Sequence, residues 1–245
     1  MEQFEQWHEY WDNYLQNKYG KDEVTDEDDL YLQVARTVQK KPIPKEVFNE
    51  IINNISNDLA LSANDILVDF CCGNGLFTYE LKDKVQQIIG IDFSKNIINA
   101  ANKYRAAANI SYHVGSAIDW LKDIKEYMPG IVPDKYLMND SLAYFSQTDL
   151  KEMLGHVITA SPHFVFLLRG VPNDLLKWNY YNTDERKAVY NANIAKGDQT
   201  NDGLGSWWMP DDITAICSDL GLKCVIRNQQ LPVSDYRMDV VISNY

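Results

Sequence analysis

Ile66-Leu67-Val68-Asp69-Phe70-Cys71-Cys72-Gly73-Asn74-Gly75 is an apolar run that ends in a carboxylate and a Gly-rich turn. One helix length later, Ile88-Ile89-Gly90-Ile91-Asp92-Phe93-Ser94 repeats the run and ends in a second carboxylate. Two parallel strands joined by a crossover read this way, and such half-sheets hold a nucleotide at the turn after the first strand. Gly73 and Gly75 let the backbone come close to a ligand, and Asp92 stands where a ribose diol needs an acceptor for both hydroxyls.

The position of charge discriminates between nucleotides. A dinucleotide turn needs G-x-G-x-x-G with its pyrophosphate on a helix N-terminus, but here the third position is Thr78 and Asp69 precedes the turn. Pyrophosphate is repelled by that carboxylate, whereas a cationic ligand with an adenosine part is not, which points to S-adenosylmethionine (SAM) rather than NAD.

From about residue 60 to the C-terminus the chain resembles the class I SAM-dependent methyltransferases. Asp69, Cys71, Gly73 and Gly75 occupy that family's first motif, with Cys71 in the first glycine position, a departure the turn tolerates where residue 71 keeps an ordinary negative φ. The resemblance implies that Asp92 holds the ribose hydroxyls and that Phe93 packs on adenine. It places the adenine amino group at Gly115-Ser116-Ala117, where Ser116 stands for the usual Asp and Asp119 is the alternative partner. It also implies that the strand Asp134 to Ser141, with Asn139 near its carboxyl end, lines the methionine part of SAM and the acceptor. That strand lacks the Asn-Pro-Pro-Tyr of many enzymes that methylate nitrogens in nucleic acids and proteins.

Methyl transfer from a sulfonium is an in-line displacement, so the protein has to align the acceptor and exclude water. A hydroxyl acceptor benefits from a base, and an amine or thiol needs little help. The candidate bases are Asp140, which the family architecture puts closest to the methyl, and His8, which an N-terminal flap could deliver. His113 and His163 read as structural, and His156 as a residue of the outer face of its helix. Arg36 and Thr37 could reach the SAM carboxylate, which needs a cation or hydroxyl donor. Arg169 could bind an anionic acceptor or make a structural salt bridge.

These residues need a scaffold of alternating strands and helices. After the first strand a helix is expected over about Leu76 to Lys84, and Ser94 is an N-cap for a helix from Lys95 to Ala107. A strand over Ile110 to Val114 follows, then a helix from Thr148 to Ala160 and a buried strand from His163 to Leu168. Pro210 opens a further helix that Gly221 ends, and Cys224-Val225-Ile226 and Val240-Val241-Ile242 are the last strands, antiparallel at the sheet edge. The expected fold is α/β, a doubly wound seven-stranded mostly parallel sheet with an antiparallel last strand.

Residues 1–60 form an N-terminal helical extension and 61–245 the SAM-binding domain. Trp7, Trp11 and Tyr14 share one helical face, as a helix packed on the domain or as a flap over the site. Asp26 to Asp29 reads as a solvated loop or helix start. Residues 171–209 carry Trp178, Tyr180, Tyr181, Tyr190, Trp207 and Trp208, which fits an aromatic lid for a sugar or a small aromatic natural product. The bland alternative is an insertion that packs or dimerises, and a homodimer stays open.

Composition narrows the partners. A 245-residue chain with 45% hydrophobic content builds one large core. No run approaches the roughly 18 apolar residues of a membrane span, and Met1 to Trp7 lacks the pattern of a signal peptide. A cytoplasmic protein is expected. A net charge of −12 repels phosphate backbones, which argues against nucleic acid. The four cysteines include no C-x-x-C pair that would suggest a metal, and read as reduced thiols. Together these features favour a SAM-dependent methyltransferase of a small-molecule acceptor, with a sugar or similar hydroxyl ahead of an N-methyltransferase. A non-catalytic SAM-binding protein and an NAD dehydrogenase are the other classes.

Overall fold

The structure is a computed structural model and describes residues 2–127, 129–196, 204–229 and 234–245. Met1 and residues 197–203 of the expected lid lie outside the described residues. A seven-stranded mixed sheet has the order β5-β4-β3-β6-β7-β9-β8. Its strands are β3 (Ile66–Phe70), β4 (Gln87–Asp92), β5 (Ile110–Val114), β6 (Lys135–Asn139), β7 (Val165–Pro172), β8 (Lys223–Asn228) and β9 (Arg237–Ser243). A two-residue hairpin, β1 (Thr37–Val38) with β2 (Lys41–Pro42), stands apart from it. The chain divides into two compact units, Met1–Leu137 and Met138–Tyr245.

In the first unit, β3 and β4 run parallel with Asp69 opposite Gly90, and β4 and β5 run parallel with Asp92 opposite Val114. Leu67, Val68, Phe70, Ile88, Ile89 and Ile91 are fully buried, which is why these strands read as continuous apolar runs. Four helices precede the sheet: α1 (Glu2–Asp12), α2 (Tyr14–Tyr19), α3 (Glu27–Gln33) and α4 (Lys45–Asp58). In α4, Phe48, Ile51, Ile52 and Ile55 recur at helical spacing and are all buried.

The aromatic stripe of residues 7–14 does not run through one helix. The chain leaves α1 at Asn13, whose Nδ2 donates to Glu9 O at 3.0 Å, and restarts at Tyr14. The acidic run splits in role. Asp26 caps α3 by accepting from Asp29 N at 3.0 Å, and Asp29 is fully buried against Lys21 and Thr25 instead of solvated.

After β3 the expected α-helix is a 3₁₀ helix, Thr78–Lys84. Its buried residues, Thr78 and Leu81, lie three apart, the period of a 3₁₀ turn, and too few apolar positions follow to fill an α-helical face. α5 (Lys95–Tyr104) is capped by Ser94, whose Oγ accepts from Ile97 N at 3.2 Å, and it stops at Tyr104, short of Ala107. The short helices α6 (Ala117–Lys122) and α7 (Ile124–Tyr127) follow β5.

In the second unit β9 pairs antiparallel with both β7 and β8, so the last strand inserts between β7 and the edge strand β8. α8 (Gln147–Ala160) starts in a capping box between Ser146 and Asp149, and buries Leu150, Met153, Leu154 and Val157. Residues 171–209 hold more structure than their sequence suggests. β7 extends to Pro172, followed by a 3₁₀ turn (Asp174–Leu176), α9 (Lys177–Tyr180) and α10 (Asp184–Lys196). α11 (Pro210–Asp219) begins on its proline, as expected. Among the described residues no helix is long and apolar enough to cross a membrane.

Candidate functional site

The turn after β3 carries the site of the first unit. Gly75 has φ +74°, and a Cβ there would lie 2.4 Å from the Tyr112 hydroxyl. Glycine is thus required at 75 by backbone conformation and by a neighbour in the protein's own fold. At Gly73 the space a Cβ would take faces Val34 Cγ1 at 3.0 Å. Cys71 also stands at positive φ, +56°. The condition under which a cysteine replaces glycine there without strain is therefore not met, and Cys71 bears the left-handed conformation that the usual glycine adopts freely.

Asp92 ends β4 beside this turn. Its Oδ2 accepts from Gly73 N and its Oδ1 from Ser94 N, each at 3.0 Å. The carboxylate is thereby fixed in plane, with acceptor capacity left on both oxygens. Gly115 N donates to Asp92 O at 2.9 Å, tying the end of β5 to the same point. Burial pushes Asp92 up to about 6, against the two backbone N–H groups that favour its charge. Asp69 is more extreme. Burial raises it to about 7 despite a 2.6 Å hydrogen bond from Thr78 Oγ1, and the Asp92 charge adds to the rise.

Among the described residues, neither carboxylate accepts a hydrogen bond from a basic side chain. Two buried carboxylates in each other's field favour a cationic ligand and disfavour a phosphate. SAM, with its sulfonium, ammonium and ribose diol, fits that donor and charge requirement.

The N-terminal elements pack onto this turn. Asn74 is fully buried, and its Nδ2 donates to Leu30 O at 2.8 Å and to Gln33 Oε1 at 3.0 Å, which docks α3. The His8 ring lies 5.1 Å from Phe93 at an interplanar angle of 33°, and Asp12 accepts from Ser94 Oγ. His8 thus sits at the Phe93 end of the turn. Arg36 places its guanidinium 5.3 Å from the Phe77 ring centroid. Ser116 caps α6, its Oγ accepting from Asp119 N at 3.5 Å, while Ala117 is buried and Asp119 exposed.

The other two expected residues belong to the second unit. Asn139 Oδ1 accepts from Arg169 NH1 at 3.1 Å. Asp140 has φ +57°, accepts from Arg237 NH1 at 2.7 Å, and lies 3.8 Å from Arg169 NH1. Arg237 also donates to Gly170 O at 2.6 Å, and Gly170 N donates to Asp239 Oδ1 at 2.8 Å. A carboxylate set against two guanidiniums loses both ion pairs if it takes a proton. Arg237 and Asp239 were not singled out in the sequence. Two charges flanking Met238 at the start of an otherwise apolar last strand were the available signal.

The aromatic residues of the insertion pack on each other and on Tyr236. Ring centroids lie 5.0 Å apart for Tyr180 and Tyr236, 5.9 Å for Trp207 and Tyr236, and 5.7 Å for Tyr181 and Trp207. Arg186 stands 4.7 Å over Tyr180, and Arg237 stands 5.3 Å over Tyr236. The cluster and the Asp140 network therefore share Arg237.

The sheet order, with its antiparallel β9, and the Asp-ended β3 and β4 define the fold of the class I SAM-dependent methyltransferases. Residues 67–160 match the family model described as a methyltransferase domain. Among solved structures the chain is similar to magnesium protoporphyrin IX methyltransferase from Synechocystis PCC 6803 with bound SAM. That match has 12% identity and a TM-score of 0.60, and covers 100% of this chain and 98% of that one. It is also similar to a SAM-bound amino pentose methyltransferase from Micromonospora echinaspora involved in calicheamicin biosynthesis, at 10% identity and TM-score 0.54, over 82% of this chain and 91% of that one. The N-methyltransferase NodS from Bradyrhizobium japonicum WM9 gives 14% identity and TM-score 0.52, over 81% and 96%. No curated protein matches the chain in sequence.

Proposed function

We propose that this protein binds SAM at the β3 and β4 carboxylates and methylates a small molecule, with an amine nitrogen as the acceptor atom. The observation that carries the cofactor assignment is Asp92, held by Gly73 N and Ser94 N with both oxygens still able to accept from a ribose diol. Phe93 packs on the adenine, and Ser116 and Ala117 take its amino edge. Asp69, raised by burial, regains its charge beside the cation, and Cys71, Gly73 and Gly75 shape the turn. Arg36 receives the methionine carboxylate. When bound, SAM supplies an electrophilic methyl group on a sulfonium.

The residues near the expected bases support nitrogen over oxygen. Asp140 is committed to Arg237, and His8 is committed to Phe93 and Asp12, which it faces at 3.5 Å. A neutral amine attacks without a base and sheds its proton afterwards, whereas a sugar hydroxyl needs one during attack. Asp140 serves as an anchor that, through Arg237, holds the aromatic cluster of the insertion, whose ring faces suit a ring-shaped acceptor. An amino sugar suits both the aromatic faces and the amine. The solved methyltransferases of an amino pentose and of NodS type are consistent with this reading.

Calorimetric titration with SAM, S-adenosylhomocysteine and NADH, with Asp92→Ala beside the parent, tests the first half. Two charge-assisted hydrogen bonds are worth about 3 kcal/mol or more together, so the variant should bind S-adenosylhomocysteine at least ~100-fold more weakly while staying folded. Equal affinity in the variant, or a preference for NADH, refutes the assignment. A panel of amino sugars against their hydroxyl counterparts tests the second half.

A further inference from the structure

We propose that α1 completes the adenosine subsite, with His8 extending the purine wall that Phe93 begins and Asp12 fixing that wall through Ser94. This rests on the SAM reading above. His8 and Asp12 are four residues apart on one face of α1, and both reach the end of β4. The His8 and Phe93 ring centroids lie 5.1 Å apart with the rings tilted by 33°, within the range of a favourable aromatic contact. Asp12 Oδ1 accepts from Ser94 Oγ, while Asp12 Oδ2 faces His8 Nδ1 at 3.5 Å. One carboxylate therefore ties both ring and strand end.

Ser94 is fully buried and caps α5, so this tie is made to a rigid point. Trp7, next to His8, is 7% exposed and packs edge-on against Tyr10 of the same helix. The field at Asp92 carries the same signature, since Asp12 raises and His8 lowers its affinity for a proton. Two separate contacts, His8 on Phe93 and Asp12 on Ser94, thus bring α1 to the nucleoside-binding residues.

The chemistry of SAM sets what this position can do. Adenine hangs from C1′ of the ribose and the sulfonium from C5′, with the diol that Asp92 receives between them. A side chain stacked on Phe93 is at the purine end, away from the methyl group. His8 is accordingly a positioning residue for the purine, and nucleoside release requires α1 to withdraw.

The test is the release rate of radiolabelled S-adenosylhomocysteine from the full chain, chased with unlabelled compound, with thermal melting run on each variant. His8→Ala and Asp12→Asn should release about three to ten times faster than the parent, the range an aromatic pair supports, and His8→Phe should restore a rate within about twofold. Should His8→Ala melt early, Asp12→Asn and His8→Phe carry the comparison. Unchanged release in His8→Ala and Asp12→Asn overturns the proposal, as does equal acceleration in His8→Phe. A parent that binds no S-adenosylhomocysteine overturns the cofactor reading instead.

Discussion

Asp69→Asn should make the protein without cofactor more stable at alkaline pH while weakening its hold on a cation. A carboxyl of ordinary value 3.8 is raised to about 7 in the fold by burial. Between those values the folded chain keeps a proton that the unfolded chain has lost, so stability falls as pH rises and levels off above about 7. From pH 5 to pH 8 the loss from this one group is about 2 to 3 kcal/mol. Asparagine does not titrate, and its amide oxygen can still accept from Thr78. Asp92, raised to about 6, titrates in both proteins and largely cancels. Urea unfolding of parent and variant at pH 5 and pH 8, without cofactor, measures the difference. A parent that loses about 2 to 3 kcal/mol more than the variant supports the reasoning, and a difference under about 1 kcal/mol refutes it. The same variant should lose affinity for SAM more than for S-adenosylhomocysteine, because only SAM carries the sulfonium that Asp69 would offset.

Two further substitutions probe the backbone around each half of the site. Cys71→Gly should stabilise the protein by about 0.5 to 1.5 kcal/mol, since φ +56° strains cysteine and suits glycine, and an unchanged or lower melting temperature would contradict this. Gly170→Ala places a Cβ 1.7 Å from Asp140 Oδ1 and should break the Asp140 to Arg237 pair, costing about 3 kcal/mol or more in chemical unfolding. A loss below about 1 kcal/mol would show that the network yields without cost.

The strands β3 and β4 and the turn after β3 were legible because each rests on local patterns. β3 and β4 bury whole apolar runs, and their terminal carboxylates and glycines are contiguous in the chain. Ser94 as an N-cap and Pro210 at a helix start depend on the next few residues only, and both stand as expected. The 3₁₀ helix at Thr78–Lys84 was not legible, because Thr78 turns inward for Asp69, nine residues back. Likewise nothing beside Asn74 announces that its amide holds α3, more than 40 residues away.

Asp140 shows how the surroundings of a strand-end carboxylate can lie outside its local sequence. Its neighbours in sequence are Asn139 and Ser141, which suggest an open polar end. The groups that decide its chemistry arrive from β7 and β9, as Arg169 and as Arg237, 97 residues on. Gly170 is the hinge of that arrangement, because its φ of +71° and missing side chain leave the space that Asp140 Oδ1 fills. A strand-end aspartate thus meets a glycine at the irregular point of the neighbouring strand and an arginine of the last strand. Removing Arg237 leaves Asp140 facing Arg169 but takes the cation from the Tyr236 ring, whereas removing Asp140 deprives both buried guanidiniums of that carboxylate.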